Sequence, residues 1–167
     1  DLTNSTITGS RAYDYLEGSG GGLYNSGTST LTNSTISENS TSYGGRGGGL
    51  AVAYGATLDL SNSTISGNSA SFGGGLENYG TVALTNSTIS GNNAYYGGGL
   101  RNLDTATLTN ITISGNNAYY GGGFYNSSTA NLTNSTISGN YANNGGGIET
   151  TGGTVTLTNS IILGNSI

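Results

Sequence analysis

The chain has 167 residues, a formal net charge of -5 and 32 glycines, and it contains no cysteine, histidine, proline, methionine, tryptophan or lysine. Its whole positive charge is Arg11, Arg46 and Arg101, too few and too scattered to neutralise a phosphate backbone, so nucleic acid is excluded as a partner. The absence of cysteine excludes disulfides and thiolate metal sites, and no apolar run approaches the ~20 residues that span a bilayer, so direct membrane insertion is not expected.

The chain opens at Asp1 with neither an initiator methionine nor a signal peptide, which points to a processed product or a piece of something longer. Leu2-Thr3-Asn4-Ser5-Thr6-Ile7 follows at once, and the same phrase restarts at Leu31, Leu60, Leu84, Leu108, Leu132 and Leu157, at spacings of 29, 29, 24, 24, 24 and 25 residues. Between its copies stand three glycines and an apolar residue, ending at Leu23, Leu50, Leu76, Leu100, Phe124 and Ile148. A period in the twenties that runs from end to end is the mark of a solenoid, in which stacked repeats share one continuous core. The glycines are phased with that repeat, so the composition does not imply disorder, and residues 1–167 form a single domain.

The first two repeats are the longer ones, with loops over 10–19 and 38–46 and further residues between Gly49 and Leu60. Lengthening on one side of adjacent coils is expected to bring Arg11, Tyr13, Tyr15, Glu17, Tyr43 and Arg46 near one another, a mixture of rings and charges suited to a sugar or protein contact; a solvated loop is the simpler alternative.

A regular repeat, Gly97 to Tyr120, alternates around Leu100 and Asn102, then Leu108, then Ile113, and is rich in β-branched residues. No apolar positions recur at three-and-four spacing, so the segments are strands, three per repeat. We therefore expect an all-β, three-sided parallel β-helix of about 24 residues per coil and six to seven coils, without α-helix. Its inward columns are the apolar residue after the glycines, the leucine that opens each phrase, and the isoleucine five residues later. Asn68, Asn92, Asn116, Asn140 and Asn165 form an amide stack. Asn33, Asn62, Asn86, Asn110 and Asn134 form a second one at a turn, expected to point inward and so to be closed to N-glycosylation despite the Asn-Ser-Thr pattern.

Leu-Thr-Asn-Ser-Thr-Ile-Ser-Gly-Asn alternating with Gly-Gly-Gly-Leu-Tyr-Asn resembles the right-handed parallel β-helix repeats of bacterial surface and secreted proteins, including the polymorphic outer-membrane, autotransporter-passenger type. The resemblance covers essentially the whole chain; Ile-Ser-Gly-Asn stands where the outer-membrane type tends to have phenylalanine. It implies a right-handed coil and an extracellular or cell-surface setting, and it does not choose between adhesins, matrix proteins and enzymes.

Polysaccharide cleavage on such a fold, by resemblance to pectate lyases and polygalacturonases, needs clustered carboxylates, whereas the eight acids here are dispersed. Glu77 and Arg101 lie one coil apart and read as a surface ion pair worth under ~1 kcal/mol. No enzyme, cofactor or metal is expected. Thr64 and Ser66, Thr88 and Ser90, and Thr112 and Ser114 form an outward hydroxyl grid that resembles the Thr-x-Thr arrays of ice-binding β-helices. Phe72, Tyr96 and Tyr120, with Tyr95 and Tyr119, form an aromatic ladder.

These features predict an extracellular structural or adhesive protein. The first and last coils carry the same phrase, so the chain is expected to polymerise head to tail through Leu2, Asn4, Ile7, Leu157, Asn159 and Ile162, its partner being itself. The alternatives are an ice-binding or glycan-binding module, or an excised passenger segment of a larger adhesin.

Overall fold

The computed structural model describes residues 1–13 and 20–167. Among them the regular structure is all strand, with no helix. One regular turn contributes Leu100–Asn102, Thr105–Thr109 and Thr112–Ser114. Each strand pairs in parallel with its equivalent one turn away, so the three positions build three sheets. The first sheet runs from Leu2–Thr3 to Thr154–Thr158 and the second from Thr6–Thr8 to Ile161–Leu163, with seven strands each; the third runs from Leu23–Asn25 to Ile148–Thr150 with six. The chain is thus a parallel β-solenoid of about six turns. Register never slips: Leu84 faces Leu108, Ile89 faces Ile113 and Leu100 faces Phe124.

The corner between the first and second sheets is made by asparagine in the left-handed region, with φ of 49 to 56° at Asn4, Asn33, Asn62, Asn86, Asn110, Asn134 and Asn159. Asparagine tolerates this conformation better than other residues with a Cβ. The turn directs these side chains outward, which corrects the expectation of an inward column: all seven are exposed, and the amides bond along the outside, Asn110 Nδ2 donating to Asn86 Oδ1 at 2.9 Å. Burial therefore does not close them to glycosylation. The residue that turns inward at this corner is the next serine: Ser34, Ser63, Ser87 and Ser135 are buried, and the Ser87 hydroxyl accepts the backbone N–H of Ser63 at 3.0 Å.

Inside, the three expected apolar columns are in place, with Leu60, Ile65, Leu84, Ile89, Leu108 and Ile113 fully buried. A fourth column, Leu58, Val82, Ala106 and Ala130, lies two residues before each leucine and thickens the core. Each large aliphatic side chain contributes roughly 1.5–3 kcal/mol on burial, so the stability of one turn is small and depends on its neighbours.

The three glycines close the turn. A Cβ on Gly74 would lie 2.5 Å from the Asn93 carbonyl oxygen and 2.6 Å from that of Gly98, and one on Gly75 would lie 2.5 Å from the Gly99 oxygen and 3.0 Å from Asn92 Nδ2. Gly73, at φ 60°, reverses the chain so tightly that its Cβ would meet the backbone of Leu76 and Glu77. The consequence is a fold-back that carries the residue before the triplet over the outer side of the third sheet. Arg46, Phe72, Tyr96 and Tyr120 bridge one to the next and make a short additional column there.

Candidate functional site

The outward position of the third sheet holds Tyr24, Ala51, Glu77, Arg101, Tyr125 and Glu149 in register. On an open sheet these residues would face water, but the fold-back roofs them with rings. Phe72 and Tyr96 stack with centroids 5.6 Å apart and Tyr96 and Tyr120 at 4.9 Å, while the Arg101 guanidinium lies 4.8 Å from the Phe72 centroid and 5.6 Å from that of Tyr96. Outside the fold-back, Tyr95 and Tyr119 stack on each other at 5.0 Å and are both partly exposed to solvent.

Glu77 is the centre of this layer. It is 0% exposed, and its Oε1 accepts from Arg101 Nη1 at 2.7 Å, the arginine side chain being 15% exposed. The expected surface ion pair is therefore a buried one, because the aromatic roof excludes the solvent that would screen it; deleting either partner costs about 3–5 kcal/mol rather than under one. Burial pushes the Glu77 carboxyl up to about 7, against the opposing pull of the Arg101 and Arg46 guanidiniums. Its Oε2 makes no hydrogen bond of full geometry, although the Tyr79 hydroxyl is near enough to pull the carboxyl down, and Arg101 Nε has no partner. Tyr79, half-buried beside it, is also raised, by burial first and by the Glu77 charge second.

Two depressions flank the loop that ends at Arg46. One, of about 190 Å³, is lined by Tyr24, Arg46, Ala51, Tyr54, Glu77 and Tyr79 together with Val52 and Ala53. The Arg46 guanidinium sits 5.0 Å from the Tyr79 ring centre, and Tyr54 leans on Tyr79 at 4.7 Å. The other, of about 430 Å³, is lined by Tyr43, Gly44, Ser71, Phe72, Tyr95 and Tyr96.

The residues expected to gather on the two longer loops are divided by the fold. Arg11 pairs with Ser40 at the start of the second loop and stacks at 5.0 Å on Tyr13. Arg46, at the end of that loop, turns to Tyr79, and Tyr43, 91% exposed, borders Tyr95 on the opposite side. Tyr15 and Glu17 lie outside the described residues. Sequence reasoning missed Glu77, Tyr79, Ala51 and Tyr54 as members of one site; the available signal was that Ala51 alone is small among the residues following the glycine-apolar phrase.

Thr64, Ser66, Thr88, Ser90, Thr112 and Ser114 do form an outward grid on the second sheet, Thr against Thr and Ser against Ser. A larger array covers the first sheet, whose five-residue strands present Thr81 and Thr85, Thr105, Thr107 and Thr109, and Thr154, Thr156 and Thr158 outward. At the ends, Leu2 and Ile7 are partly buried, whereas Leu157 and Ile162 are 43% and 44% exposed and Asn4 and Asn159 are exposed.

Parallel strands stacked in unbroken register make this a β-helix repeat protein, and residues 22–167 match the family model described as right handed beta helix region. The chain belongs to that family, whose members include both enzymes and structural proteins. No curated protein matches the chain, and no solved structure does.

Proposed function

We propose that the chain is an extracellular structural and adhesive protein, of the bacterial-surface kind its repeats resemble, in which copies stack head to tail into a filament. The observation that carries this reading is the continuity of the ladders into the last described coil. There Leu157 still pairs with Leu132 and Ile162 with Ile137, and Asn165 Oδ1 accepts from Asn140 Nδ2 at 2.9 Å, so the ladders run in unbroken register up to this coil. The first coil carries the matching phrase Leu2 to Ile7. A second copy set on this edge pairs its first coil with 157–165 and its 23–25 strand with 148–150, a heterologous contact that propagates unless it closes into a ring.

A subunit rise of about 30 Å follows from six coils at ~4.8 Å. The test is negative-stain electron microscopy of the unaltered chain and of Val155→Pro, which removes a backbone donor that points away from the preceding coil, since the alternate residue Thr154 donates back to Ser128. Fibres that shorten or vanish in the variant support stacking through this end. Fibres of equal length refute this interface, and a monomer in both samples refutes polymerisation.

A second reading, an ice-binding face, is favoured by the threonine array of the first sheet, where outward hydroxyls repeat at ~4.8 Å between strands and about 6.7 Å along them. Thermal hysteresis that is lost in Thr107→Tyr supports it, and its absence in the unaltered protein removes it.

A further inference from the structure

The outer column of the third sheet has one gap. Tyr24, Glu77, Arg101, Tyr125 and Glu149 are all large, and Ala51, between Tyr24 and Glu77, is not. One strand spacing, ~4.8 Å, is left unfilled along the axis, and it opens into the 190 Å³ recess. Both departures of the second coil from the regular repeat converge on it. The long loop ends by placing Arg46 where later coils place Phe72, Tyr96 and Tyr120, and the extra residues after Leu50 place Tyr54 on the opposite rim. In a chain otherwise made of near-identical turns, three irregularities at one point need a common explanation.

The lining restricts what could fill the recess. Glu77 is wholly buried there, and its Oε2, with the Tyr79 hydroxyl as its neighbour, keeps capacity to accept a further hydrogen bond. Arg46 is the cation on the lining, Arg101 being committed to Glu77 Oε1, and the net positive charge turns away an ammonium group, while the remaining carboxylate oxygen calls for a hydroxyl donor. What suits all of them is a neutral group that donates to Oε2, accepts from Arg46 and lays a C–H face on tyrosine. The volume is below the ~300–1,000 Å³ of pockets for drug-sized molecules and suits one ring.

We propose that the recess over Ala51 binds a single neutral pyranose residue of a glycan, held between the tyrosine faces of Tyr24, Tyr54 and Tyr79, the Arg46 guanidinium and Oε2 of the Glu77 carboxylate. Seating the ring displaces the Arg46 side chain from its stack on Tyr79, so that a sugar hydroxyl reaches Oε2. Tyr54 at the exposed rim leaves room for the rest of the glycan to continue into solvent.

The test is saturation-transfer NMR on the whole chain with the methyl pyranosides of glucose, galactose and mannose as probes, and with methyl galacturonoside and choline as anionic and cationic arms. At least one neutral glycoside is expected to take up saturation, and Ala51→Leu, which fills the recess, is expected to weaken its binding at least tenfold. Tyr54→Ala is expected to weaken it about fivefold; this residue is 78% exposed, so the variant keeps the test alive should Ala51→Leu fail to fold. No transfer from any neutral glycoside overturns the proposal. So does transfer undiminished in Tyr54→Ala and in folded Ala51→Leu, or transfer confined to galacturonoside or choline.

Discussion

The side-chain amide of Asn92 donates to Asn116 Oδ1 at 3.0 Å, and that same oxygen accepts the backbone N–H of Asn92 at 2.9 Å. Asn92 Nδ2 donates also to the Ile65 carbonyl, and Asn92 Oδ1 in turn accepts both N–H groups of Asn68. One buried side chain thus satisfies its neighbours on either side, and the motif runs from Asn39 to Asn165.

Replacing Asn92 with alanine leaves the Asn68 backbone N–H and one of the two Asn68 amide hydrogens without partners in the interior, and takes the side-chain donor from the Ile65 carbonyl. At ~1–3 kcal/mol for each unsatisfied buried group, urea denaturation should show a loss of about 3–5 kcal/mol. Asn92→Asp should lose at least as much, because a carboxylate has no N–H to give Ile65 or Asn116.

The two kinds of glycine should respond in opposite ways. Gly74→Ala places a methyl against the Asn93 and Gly98 carbonyl oxygens and should cost several kcal/mol or prevent folding. At Gly91, φ is 63° and the nearest atom to a new Cβ is the Gly67 nitrogen at 4.0 Å, so Gly91→Asn should cost ~1 kcal/mol or less. Glu38 occupies the equivalent turn at φ 56°, and Glu38→Asn should raise the urea midpoint.

Glu77 sets a pH dependence. The folded carboxyl, raised from an ordinary 4.5 to about 7, holds its proton more tightly than the unfolded one, so the folded state is favoured by acid. Stability is highest below pH 4.5, falls between 4.5 and about 7, and is flat above that, the total change being on the order of one to a few kcal/mol. Urea midpoints across this range should decline in the unaltered protein and be nearly level in Glu77→Gln. Glu149, raised by burial as well, leaves a small residual slope of the same sign.

The inner and outer tyrosines should separate energetically. Tyr96 is stacked between Phe72 and Tyr120, meets Tyr125 edge-on at 5.3 Å and shields Arg101. Tyr96→Ala should cost about 3 kcal/mol by urea denaturation, near the low end for truncating a packed ring. Tyr95, about half exposed and stacked only on Tyr119, should cost ~1 kcal/mol or less on the same substitution.

The repeat of Leu-Thr-Asn-Ser-Thr-Ile with its glycine triplet determined the fold by itself. Strand content, turn length, parallel stacking and the leucine and isoleucine columns follow from a period that one turn cannot satisfy alone, and the ladder through Asn92 and Asn116 follows from like residues meeting one turn apart. Two things were decided only in three dimensions. Whether an asparagine points in or out depends on the φ of its turn, so Asn86 and Asn92 stand on opposite sides of the wall although both are ladder residues. The burial of Glu77 depends on the glycine fold-back, which lays Phe72 and Tyr96 over a sheet face that alternation alone assigns to solvent. Periodicity specifies which residues are neighbours along the axis; which of them water can reach is set by the layer the chain folds over itself.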